Sequence, residues 1–363
     1  MVFKKIKKAV LGILVGANVA TIVLMLVVGY AGRVSPVSYP MLSNLSMLFP
    51  VFLVINLLFL VLWAFIRLRY VLLPILGFAI CYGPVRTYMP INFTSTPPED
   101  AIKVMSYNVW CFSMDSETET SLKIADYIAS ENADIVLLQE ADARQRIQEG
   151  VDKRLNAVYD YRDTIHAVGK YDVLALYSKY PIIDKEHIRL GTSVHSAVGY
   201  RLRIGDDTLT VVNSHFQISG LSIDDRKLLK NIVEGEVKRE EASAGSKLVL
   251  SKLAQAAKKR APQAKALAEF IRNRKGESIV VCGDFNDTPL SFAHRQVAQG
   301  LKDCFVESGN GFGFSYNRGG MYVRIDNILC SDNITPYDCK VDRKIDISDH
   351  YPIKCYIKIK GKP

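Results

Sequence analysis

The chain has 363 residues, of which 49% are hydrophobic and 10% aromatic, and it carries 46 basic against 37 acidic residues, a formal net charge of +9. This composition excludes an intrinsically disordered chain, because about half of the residues are apolar. Residues 1–98 contain eight basic residues and no acidic one, which accounts for +8 and leaves +1 for residues 99–363. The basic pI therefore belongs to the N-terminal quarter and does not by itself indicate a nucleic-acid-binding protein.

Long uncharged runs dominate this N-terminal quarter. Ala9–Tyr30 has 22 residues without a charge, and Met47–Ile66 has 20. As helices these runs are about 30 Å long, which is the thickness of the hydrocarbon core of a bilayer. A third run, Tyr70–Val85, has 16 residues with a proline and a Gly-Pro break, so it either crosses or lies at the interface. A single run could be a signal peptide or a buried helix, but two long runs favour a membrane region over 1–85 with two or three transmembrane helices.

The basic residues beside these runs predict their orientation, because Lys and Arg are retained on the cytoplasmic side. Four lysines precede the first run, and Arg67 and Arg69 follow the second. If 70–85 crosses, which we favour, the rest of the chain lies on the extracytoplasmic side of the inner (plasma) membrane. If it does not cross, the rest of the chain is cytoplasmic. Residues 86–100 contain three prolines and have the composition of a linker.

From residue 101 on, short β-rich runs and a helical pattern predict a mixed α/β domain over 101–360. The helical pattern covers Ser121–Ser130, where Leu122, Ala125 and Ile128 recur at helical spacing. The predicted strands are Ile102–Tyr107, Ile135–Gln139, Val173–Ser178, Leu209–Ser214, Ile279–Cys282, Ile325–Cys330 and Lys354–Ile359. The order of these strands in a sheet does not follow from the pattern.

Polar side chains lie at the ends of these strands. They are Asn108, Glu140, His215, Asp284, Asn286, Asp326, Asp349 and His350. Strand alternation would put Asp284 and Asn286 on the same side of the sheet. Each residue alone has an ordinary explanation, such as a turn former, a helix cap, a structural histidine or, for Asp326, an ion pair with Arg324. Their joint occurrence at strand ends indicates a catalytic site instead.

The motifs S-Y-N-V, L-L-Q-E, Y-S-K-Y-P-I, N-S-H-F, G-D-F-N-D, R-I-D-N-I-L and S-D-H-Y-P occur in this order between residues 101 and 360. Through them the sequence resembles the endonuclease/exonuclease/phosphatase superfamily, which includes DNase I-like nucleases, inositol-polyphosphate phosphatases and neutral sphingomyelinases. The resemblance implies a four-layer α/β sandwich in which two mixed β-sheets face each other with helices outside. It also implies a metal-dependent hydrolase of phosphoric ester bonds that uses Mg²⁺, with Mn²⁺ as a substitute.

The resemblance further implies which residues handle the metal and the water. Glu140 would be the principal Mg²⁺ ligand, with Asn108 beside it on metal or phosphate. Asp349 would be a further ligand or a supporting carboxylate. Asp284 would orient or deprotonate the attacking water, and Asn286 would hold that water or the phosphate. A hard cation on carboxylate and amide oxygens supplies the charge neutralisation that attack on a phosphodiester needs.

The two histidines complete the implied site. His215 and His350 would donate to the non-bridging oxygens of the phosphate, and Asp326 would fix the tautomer of His350. The segment Gly169-Lys170-Tyr171-Asp172 departs from the glycine-rich pattern common in the family, so the acid partner of His215 stays unassigned. The other four histidines match no motif and are interpreted as structural or surface residues.

Two segments could select the substrate. Residues 242–268 contain six basic residues and no acidic one, and apolar residues from Leu250 to Ala268 recur every three or four positions, which predicts an amphipathic helix. It is a solvated helix packed on the domain, a surface for anionic lipid headgroups, or a nucleic-acid contact. The glycine-rich loop from Ser308 to Gly320 makes Tyr316 a candidate substrate-binding residue, unless the loop is a plain turn.

The leading hypothesis is a membrane-anchored, Mg²⁺-dependent phosphodiesterase that acts by direct attack of water on a lipid-headgroup or other envelope phosphodiester. A nuclease gains much of its affinity from basic residues on the phosphates, and the domain is nearly neutral. A DNA or RNA nuclease is therefore the alternative, with nucleic acid a possible but not a favoured partner. A non-catalytic membrane scaffold that binds phosphorylated ligands is the second alternative. The sequence predicts no oligomeric state.

Overall fold

The computed structural model describes residues 2–113, 116–166, 173–191, 195–234, 236–318 and 322–360. Within these ranges an N-terminal helical region precedes an α/β domain. The helical region contains Val2–Tyr30, Pro40–Ser43, Phe49–Ile66, Leu72–Ile80 and Tyr82–Tyr88, with 3-10 turns at Ala31–Arg33, Asn44–Leu48 and Leu68–Val71. The helices of the α/β domain are Thr118–Glu131, Gln145–Leu155, Ile223–Glu234, Arg239–Arg272, Phe292–Val297 and Cys304–Ser308.

The described part of the α/β domain has twelve strands in two six-stranded sheets. They are β1 Ile102–Asn108, β2 Ile135–Gln139, β3 Tyr161–His166, β4 Val173–Ser178, β5 Ile182–Ile188, β6 Ala197–Ile204, β7 Asp207–His215, β8 Ile279–Asp284, β9 Lys302–Asp303, β10 Asp326–Cys330, β11 Ile334–Val341 and β12 Ile353–Ile359. The first sheet has the order β11-β12-β1-β2-β4-β3 and the second β5-β6-β7-β8-β10-β9. Both sheets are mixed, because β1 is parallel to β2 and β7 is parallel to β8, while the other neighbours are antiparallel.

The two sheets pack face to face, and helices cover their outer faces. Buried apolar side chains of both sheets, among them Val104 and Val211, meet in the core between the sheets. Helices Thr118–Glu131 and Gln145–Leu155 cover the outer face of the first sheet. The C-terminal half of helix Arg239–Arg272 covers the outer face of the second sheet. The predicted four-layer α/β sandwich with two mixed sheets is therefore confirmed.

Two N-terminal segments are long and apolar enough to cross a membrane, Val2–Arg33 and Pro40–Ile66. A third apolar segment consists of Leu68–Ile80 and Tyr82–Tyr88, which are bent by 74° relative to each other. The segment is a third span only if both helices belong to one crossing of the membrane. We call residues 2–66 the N-terminal hairpin and residues 31–48 its loop end. The hairpin fits the two long predicted runs, and the third segment is the broken one that its proline and Gly-Pro sequence predicted.

Polar side chains hold the two arms of the hairpin together. Trp63 Nε1 donates to Asn18 Oδ1 at 2.9 Å, and Asn18 Nδ2 donates to Asn56 Oδ1 at 3.1 Å. All three side chains are buried, and their mutual bonds satisfy groups that are costly to leave unpaired in an apolar environment.

The segment 68–88 runs alongside the first helix of the hairpin. A Cβ placed on Gly77 would lie 2.8 Å from Ile22, and one on Gly29 would lie 3.0 Å from Pro84. Ile22 and Gly29 are seven residues apart, and so are their contact partners Gly77 and Pro84. The two segments therefore run in the same direction. The segment therefore ends near Gly29, beside the loop end of the hairpin.

The α/β domain is docked onto this loop end. Gly32 approaches the domain so closely that a Cβ there would lie 1.9 Å from the carbonyl oxygen of Leu290. Met47 packs against Leu221 and Leu253 of the domain. The domain thus contacts the end of the hairpin that is remote from the four N-terminal lysines.

Candidate active site

Three of the predicted residues occupy one register row of the second sheet. His215 on β7 pairs with Asp284 on β8, and Asp284 pairs with Asp326 on β10. All three side chains are buried. Gly283 has a φ of +146°, and a Cβ there would lie 1.9 Å from the carbonyl oxygen of Ser214, so glycine is required where β7 and β8 approach. The row places an imidazole and two carboxylates side by side.

The first sheet brings Asn108 and Glu140 to the same place. Asn108 ends β1, and Glu140 follows β2. Asn108 Nδ2 donates to Glu140 Oε1 at 3.2 Å and to Asp284 Oδ2 at 3.1 Å, which joins the two sheets across the site. Asn108 Oδ1 accepts from the Trp110 backbone N–H at 3.0 Å. The amide nitrogen of Asn108 therefore faces the carboxylates.

A left-handed turn fixes Glu140. Residues Trp110 to Ser113 have φ values from +46° to +53°, and Glu140 itself has +50°. This conformation costs a non-glycine residue about 1–2 kcal/mol. The Cys111 N–H donates to the Glu140 carbonyl at 2.8 Å. Strained backbone of this kind concentrates at functional sites, and here it holds the half-buried Glu140 at the site.

The two histidines approach the same carboxylates. His350 Nδ1 is 2.8 Å from Asp326 Oδ2, and His350 Nε2 is 3.6 Å from Asp284 Oδ2. His215 Nε2 is 3.7 Å from Glu140 Oε1 and 3.8 Å from Asp284 Oδ2. The hydrogen bond to Asp326 orients His350 so that its Nε2 faces the site. Asp326 therefore pairs with His350 and not with Arg324.

The clustered charges shift the pKa values of the site. Burial raises the pKa of Asp284 to about 6, and the neighbouring His350 opposes this rise. Burial disfavours protonated His350, but the carboxylates of Asp326 and Asp284 outweigh it and raise the pKa of His350 well above its ordinary value of 6.5. The site thus combines a carboxyl group that titrates near neutrality with an imidazole that stays protonated, which is an arrangement suited to proton transfer from water.

Asn286 does not continue the alternation of β8. The strand ends at Asp284, and Asn286 has a φ of +52°. The Asn286 backbone N–H donates to Asp284 Oδ1 at 2.7 Å, while its side-chain Nδ2 donates to the Phe216 carbonyl at 3.0 Å. Strand alternation therefore does not relate the two side chains, because a turn intervenes. Asn286 instead lines a pocket beside the site together with Tyr316.

Tyr316 lies against His350, with ring centroids 5.1 Å apart. Arg226 Nη1 donates to the Tyr316 hydroxyl, and the Arg226 guanidinium is 5.4 Å from the Tyr316 ring centroid. No carboxylate among the described residues lies within 4.0 Å of Arg226. The sequence interpretation missed Arg226, because it lies on a helix with no strand-end pattern around it.

Two further residues support the site. Ser348 Oγ donates to the Asn108 carbonyl at 2.7 Å and accepts from the His350 N–H at 3.2 Å. Ser348 is part of the S-D-H-Y-P motif, so the motif contained a signal for it. The ring of His195 meets that of His215 edge-on at 5.4 Å, although no sequence motif surrounds it. The segment from Gly169 to Asp172, which departs from the glycine-rich pattern of the family, lies outside the described residues.

The donor set of the site fits a divalent cation. Asp284, Asp326 and His350 offer ligand atoms within 4.8 Å of one another. Asp326 and His350 are already bonded to each other, whereas Glu140 is half-buried and faces Asp284 across Asn108. Asp349 Oδ1 lies 4.0 Å from His350 Nε2 at the edge of the same space. Converging carboxylate oxygens suit a hard cation such as Mg²⁺ or Mn²⁺.

A sequence model of the Endonuclease/Exonuclease/phosphatase family matches residues 105–350, a range that includes every site residue from Asn108 to His350. The chain belongs to this family, and it is a metal-dependent hydrolase that acts on phosphoric ester bonds. A second sequence model, described as a domain of unknown function, matches residues 11–88. No curated protein matches the chain significantly.

Solved structures of the superfamily share the fold. Truncated TDP2 of Caenorhabditis elegans is 18% identical, with 71% of this chain and 97% of that chain covered and a TM-score of 0.51. TDP2 of D. rerio, in complex with a single-strand DNA product, is 14% identical, with coverages of 72% and 100% and a TM-score of 0.51. The human nocturnin catalytic domain with a bound sulfate anion is 15% identical, with coverages of 74% and 100% and a TM-score of 0.52. At these identities the similarity establishes the fold alone.

Proposed function

We propose that this protein is a membrane-anchored phosphodiesterase that requires Mg²⁺ or Mn²⁺ and hydrolyses a lipid-headgroup or other envelope phosphodiester by direct attack of water. The observation that supports this most is the convergence of Glu140, Asp284, His215 and His350, from both sheets, on one space. A site with this composition can neutralise a phosphate, activate a water molecule and donate to the developing charge.

Glu140 would be the main ligand of the cation, with Asp349 as a further carboxylate. The bound cation would neutralise charge on the phosphate. The role of Asn108 as a metal ligand requires its oxygen, which is bonded to the Trp110 N–H. The geometry therefore favours Asn108 as a donor to Asp284 or to the phosphate.

Asp284 would accept the proton of the attacking water, since its pKa of about 6 lies near the operating pH of a general base. His350, kept protonated by Asp326, would donate to a non-bridging oxygen, and His215 would donate from the other side. Asn286 would hold the water or the phosphate. Negative charge develops on the phosphate oxygens during attack, so fixed donors there stabilise the transition state more than the bound substrate.

Tyr316 and Arg226 would contact the substrate beyond the reacting phosphate. Burial raises the pKa of Tyr316 to about 12, so its hydroxyl stays protonated in the neutral range. The guanidinium of Arg226 adds a positive charge to a site that otherwise carries an excess of carboxylates. An anionic substrate that enters beside Tyr316 would therefore be attracted to this wall of the site.

The packing of the hairpin supports an extracytoplasmic catalytic domain. The domain contacts the loop end of the hairpin, whereas the N-terminal lysines, Arg67 and Arg69 belong to its other end. Lys and Arg are retained in the cytoplasm, so the loop end and the domain would lie outside it, at the inner (plasma) membrane. Residues 68–88 would then form the third span, and their course beside the first helix agrees with a return to the loop end.

Hydrolysis of bis-p-nitrophenyl phosphate by the purified full-length protein with Mg²⁺ tests the site. We expect activity that is lost in Asp284→Ala and in His350→Ala. His294→Ala is the matched control, because His294 is also buried and bonded to a carboxylate, Asp303, but lies away from the site. Hydrolysis retained in both Asp284→Ala and His350→Ala would refute the assignment.

A substrate panel tests the proposed class of substrate. The panel contains phospholipid, sphingolipid, sugar phosphate, plasmid DNA and RNA. We expect turnover of a lipid phosphodiester, and an enzyme that cuts DNA or RNA readily but leaves every lipid untouched would be a nuclease instead. Protease treatment of intact spheroplasts tests the topology. Digestion of the domain is expected, and protection would contradict the third span.

A further inference from the structure

The α/β domain exposes large apolar side chains where it meets the loop end of the N-terminal hairpin. On helix Arg239–Arg272, Leu253 is 7% exposed, but Leu248 and Leu250 are 50% and 44% exposed. The apolar stripe of this helix that packs on the domain therefore includes Val249 and Leu253, and Leu250, which the sequence included in that stripe, lies outside it. Ile223, at the start of the neighbouring helix Ile223–Glu234, is 72% exposed.

These residues are neighbours of the loop end. The short helix Pro40–Ser43 packs on helix Arg239–Arg272, and Met47 packs against Val249 and Leu253. Lys252 Nζ, 2.5 Å from Asp225 Oδ2, ties the two helices of the domain together. We call the exposed apolar residues on these contacting elements, the loop end and the two helices, the loop-end surface. It consists of Tyr39, Met41, Leu42, Ile223, Leu248 and Leu250.

Unpaired basic residues lie on the same helix as Leu248 and Leu250. Of the six basic residues in 242–268, Lys252 is paired with Asp225, and the buried Arg260 is paired with Asp287 at 2.9 Å. Lys247, Lys258 and Lys259 are exposed. Within the described side chains they have no carboxylate within 4.0 Å. Exposed apolar side chains flanked by lysines are the composition of a surface that rests in the headgroup layer of an anionic bilayer.

We propose that the loop-end surface contacts the lipid bilayer in which the hairpin is embedded. The two spanning helices end where the loop begins, so the bilayer surface lies at the level of residues 31–48 and of the domain helices packed on them. Continuity with the spans, together with the positive charge, favours anionic phospholipid as the occupant over a protein or a nucleic acid. This inference rests on the membrane insertion that is part of the proposed function.

The position of the surface also defines the route of the substrate. Ile223 lies one helical turn before Arg226, whose guanidinium bonds the Tyr316 hydroxyl, and Tyr316 packs against His350. The loop-end surface therefore leads to the mouth of the site. A phosphoester whose apolar part stays in the bilayer would reach His350 from the headgroup layer, so the substrate class is a membrane phospholipid rather than a soluble phosphodiester.

Tryptophan fluorescence in vesicles tests this contact. Ile223→Trp and Leu250→Trp are made separately in the full-length protein and reconstituted into phosphatidylcholine–phosphatidylglycerol vesicles, with or without bromine on the acyl chains near the glycerol. The emission of the parent protein is subtracted, which removes the contribution of its own tryptophans. Ile183→Trp is the matched control, since Ile183 is 43% exposed on β5, an edge strand beside the C-terminal half of helix Arg239–Arg272.

Interfacial side chains insert about 5–10 Å, so bromine should lower the emission added at positions 223 and 250 by about twofold. The emission added at position 183 should not change. If bromine changed the added emission at none of the three positions, the proposal would be overturned. It would also be overturned if added DNA or a second protein, and not bromolipid, quenched the emission at position 223 or 250. Alkaline extraction separates the two proposals, because release of the protein from the vesicles would overturn the anchoring and with it this inference. Protein that stays in the vesicles without quenching refutes the surface alone.

Discussion

Replacing Asp326 with asparagine removes the charge beside His350 and keeps the shape. Asn can still accept the hydrogen bond of His350 Nδ1, so the orientation of the ring is preserved. In the unmodified protein, burial disfavours protonated His350, and the carboxylates of Asp326 and Asp284 overcome it and raise its pKa well above 6.5. In Asp326→Asn the burial remains and one of the two carboxylates is gone. The pKa of His350 therefore falls.

The size of the effect follows from the distance. His350 Nδ1 and Asp326 Oδ2 are 2.8 Å apart, and two unit charges centred about 4 Å apart interact by about 4 kcal/mol at an effective dielectric constant of about 20. Loss of one charged donor to the transition state costs about 10²–10³ in kcat. We expect a loss of that order in Asp326→Asn at alkaline pH, where His350 of the variant loses its proton before His350 of the parent.

The sign of the pH dependence identifies the cause. Raising the pH removes the proton from His350 in the variant before it does so in the parent, so the ratio of variant to parent kcat should fall with rising pH and recover at lower pH. The assay is hydrolysis of saturating bis-p-nitrophenyl phosphate at constant Mg²⁺.

Asp303→Asn is the control for this experiment. Asp303 is also buried and lies 3.1 Å from a histidine, His294, but outside the site. Its substitution should lower stability and leave the pH profile of the remaining activity unchanged. A loss in Asp326→Asn of the same size at every pH, or an equal change of profile in Asp303→Asn, would refute the reasoning.

Three further predictions concern metal, substrate and stability. Glu140→Gln should raise the Mg²⁺ concentration for half-maximal activity by at least about tenfold, measured after the metal is removed by chelation and added back. An unchanged Mg²⁺ concentration for half-maximal activity would exclude Glu140 as the main ligand. Arg226→Lys should raise KM for an anionic lipid about tenfold with little change in kcat, and a loss confined to kcat would contradict a binding role. Lys354→Met should lower the free energy of unfolding by about 3–5 kcal/mol, because the buried Lys354 bonds Glu131 at 2.6 Å and also Asp342. Thermal unfolding of the full chain measures this loss of stability, and an unchanged Tm would contradict the prediction.

Seven of the eight interior strands of the two sheets could be predicted from the sequence, but β6 and the edge strands could not. The seven predicted strands correspond to β1, β2, β4, β7, β8, β10 and β12, each of which has a neighbour on both sides. Such strands are covered on both faces and appear as apolar runs. By contrast, β3 and β5 are edge strands whose residues are mostly exposed. Charged side chains interrupt their apolar pattern, so no run marks them.

Much of the candidate site could be predicted as a set of residues, but not its bonding. Polar residues at strand ends, in the order of the family motifs, pointed to Asn108, Glu140, Asp284 and His350. Asn108 and Asp284 are 176 residues apart, and the hydrogen bond between them depends on how the two sheets pack. Arg226 depends on the same long-range packing, because only the docking of its helix brings it to Tyr316.

The sequence by itself determined the nature of each part: a basic, apolar N-terminal quarter able to cross a membrane and a nearly neutral α/β hydrolase. Hydropathy and charge are local properties, so they can be read without the fold. Only the tertiary structure decided that the domain is docked on the loop end of the hairpin and that Leu250 is exposed while Leu253 is buried. Contacts such as Gly32 with Leu290 join residues far apart in the chain, and their energy depends on the complementary shapes of two folded surfaces.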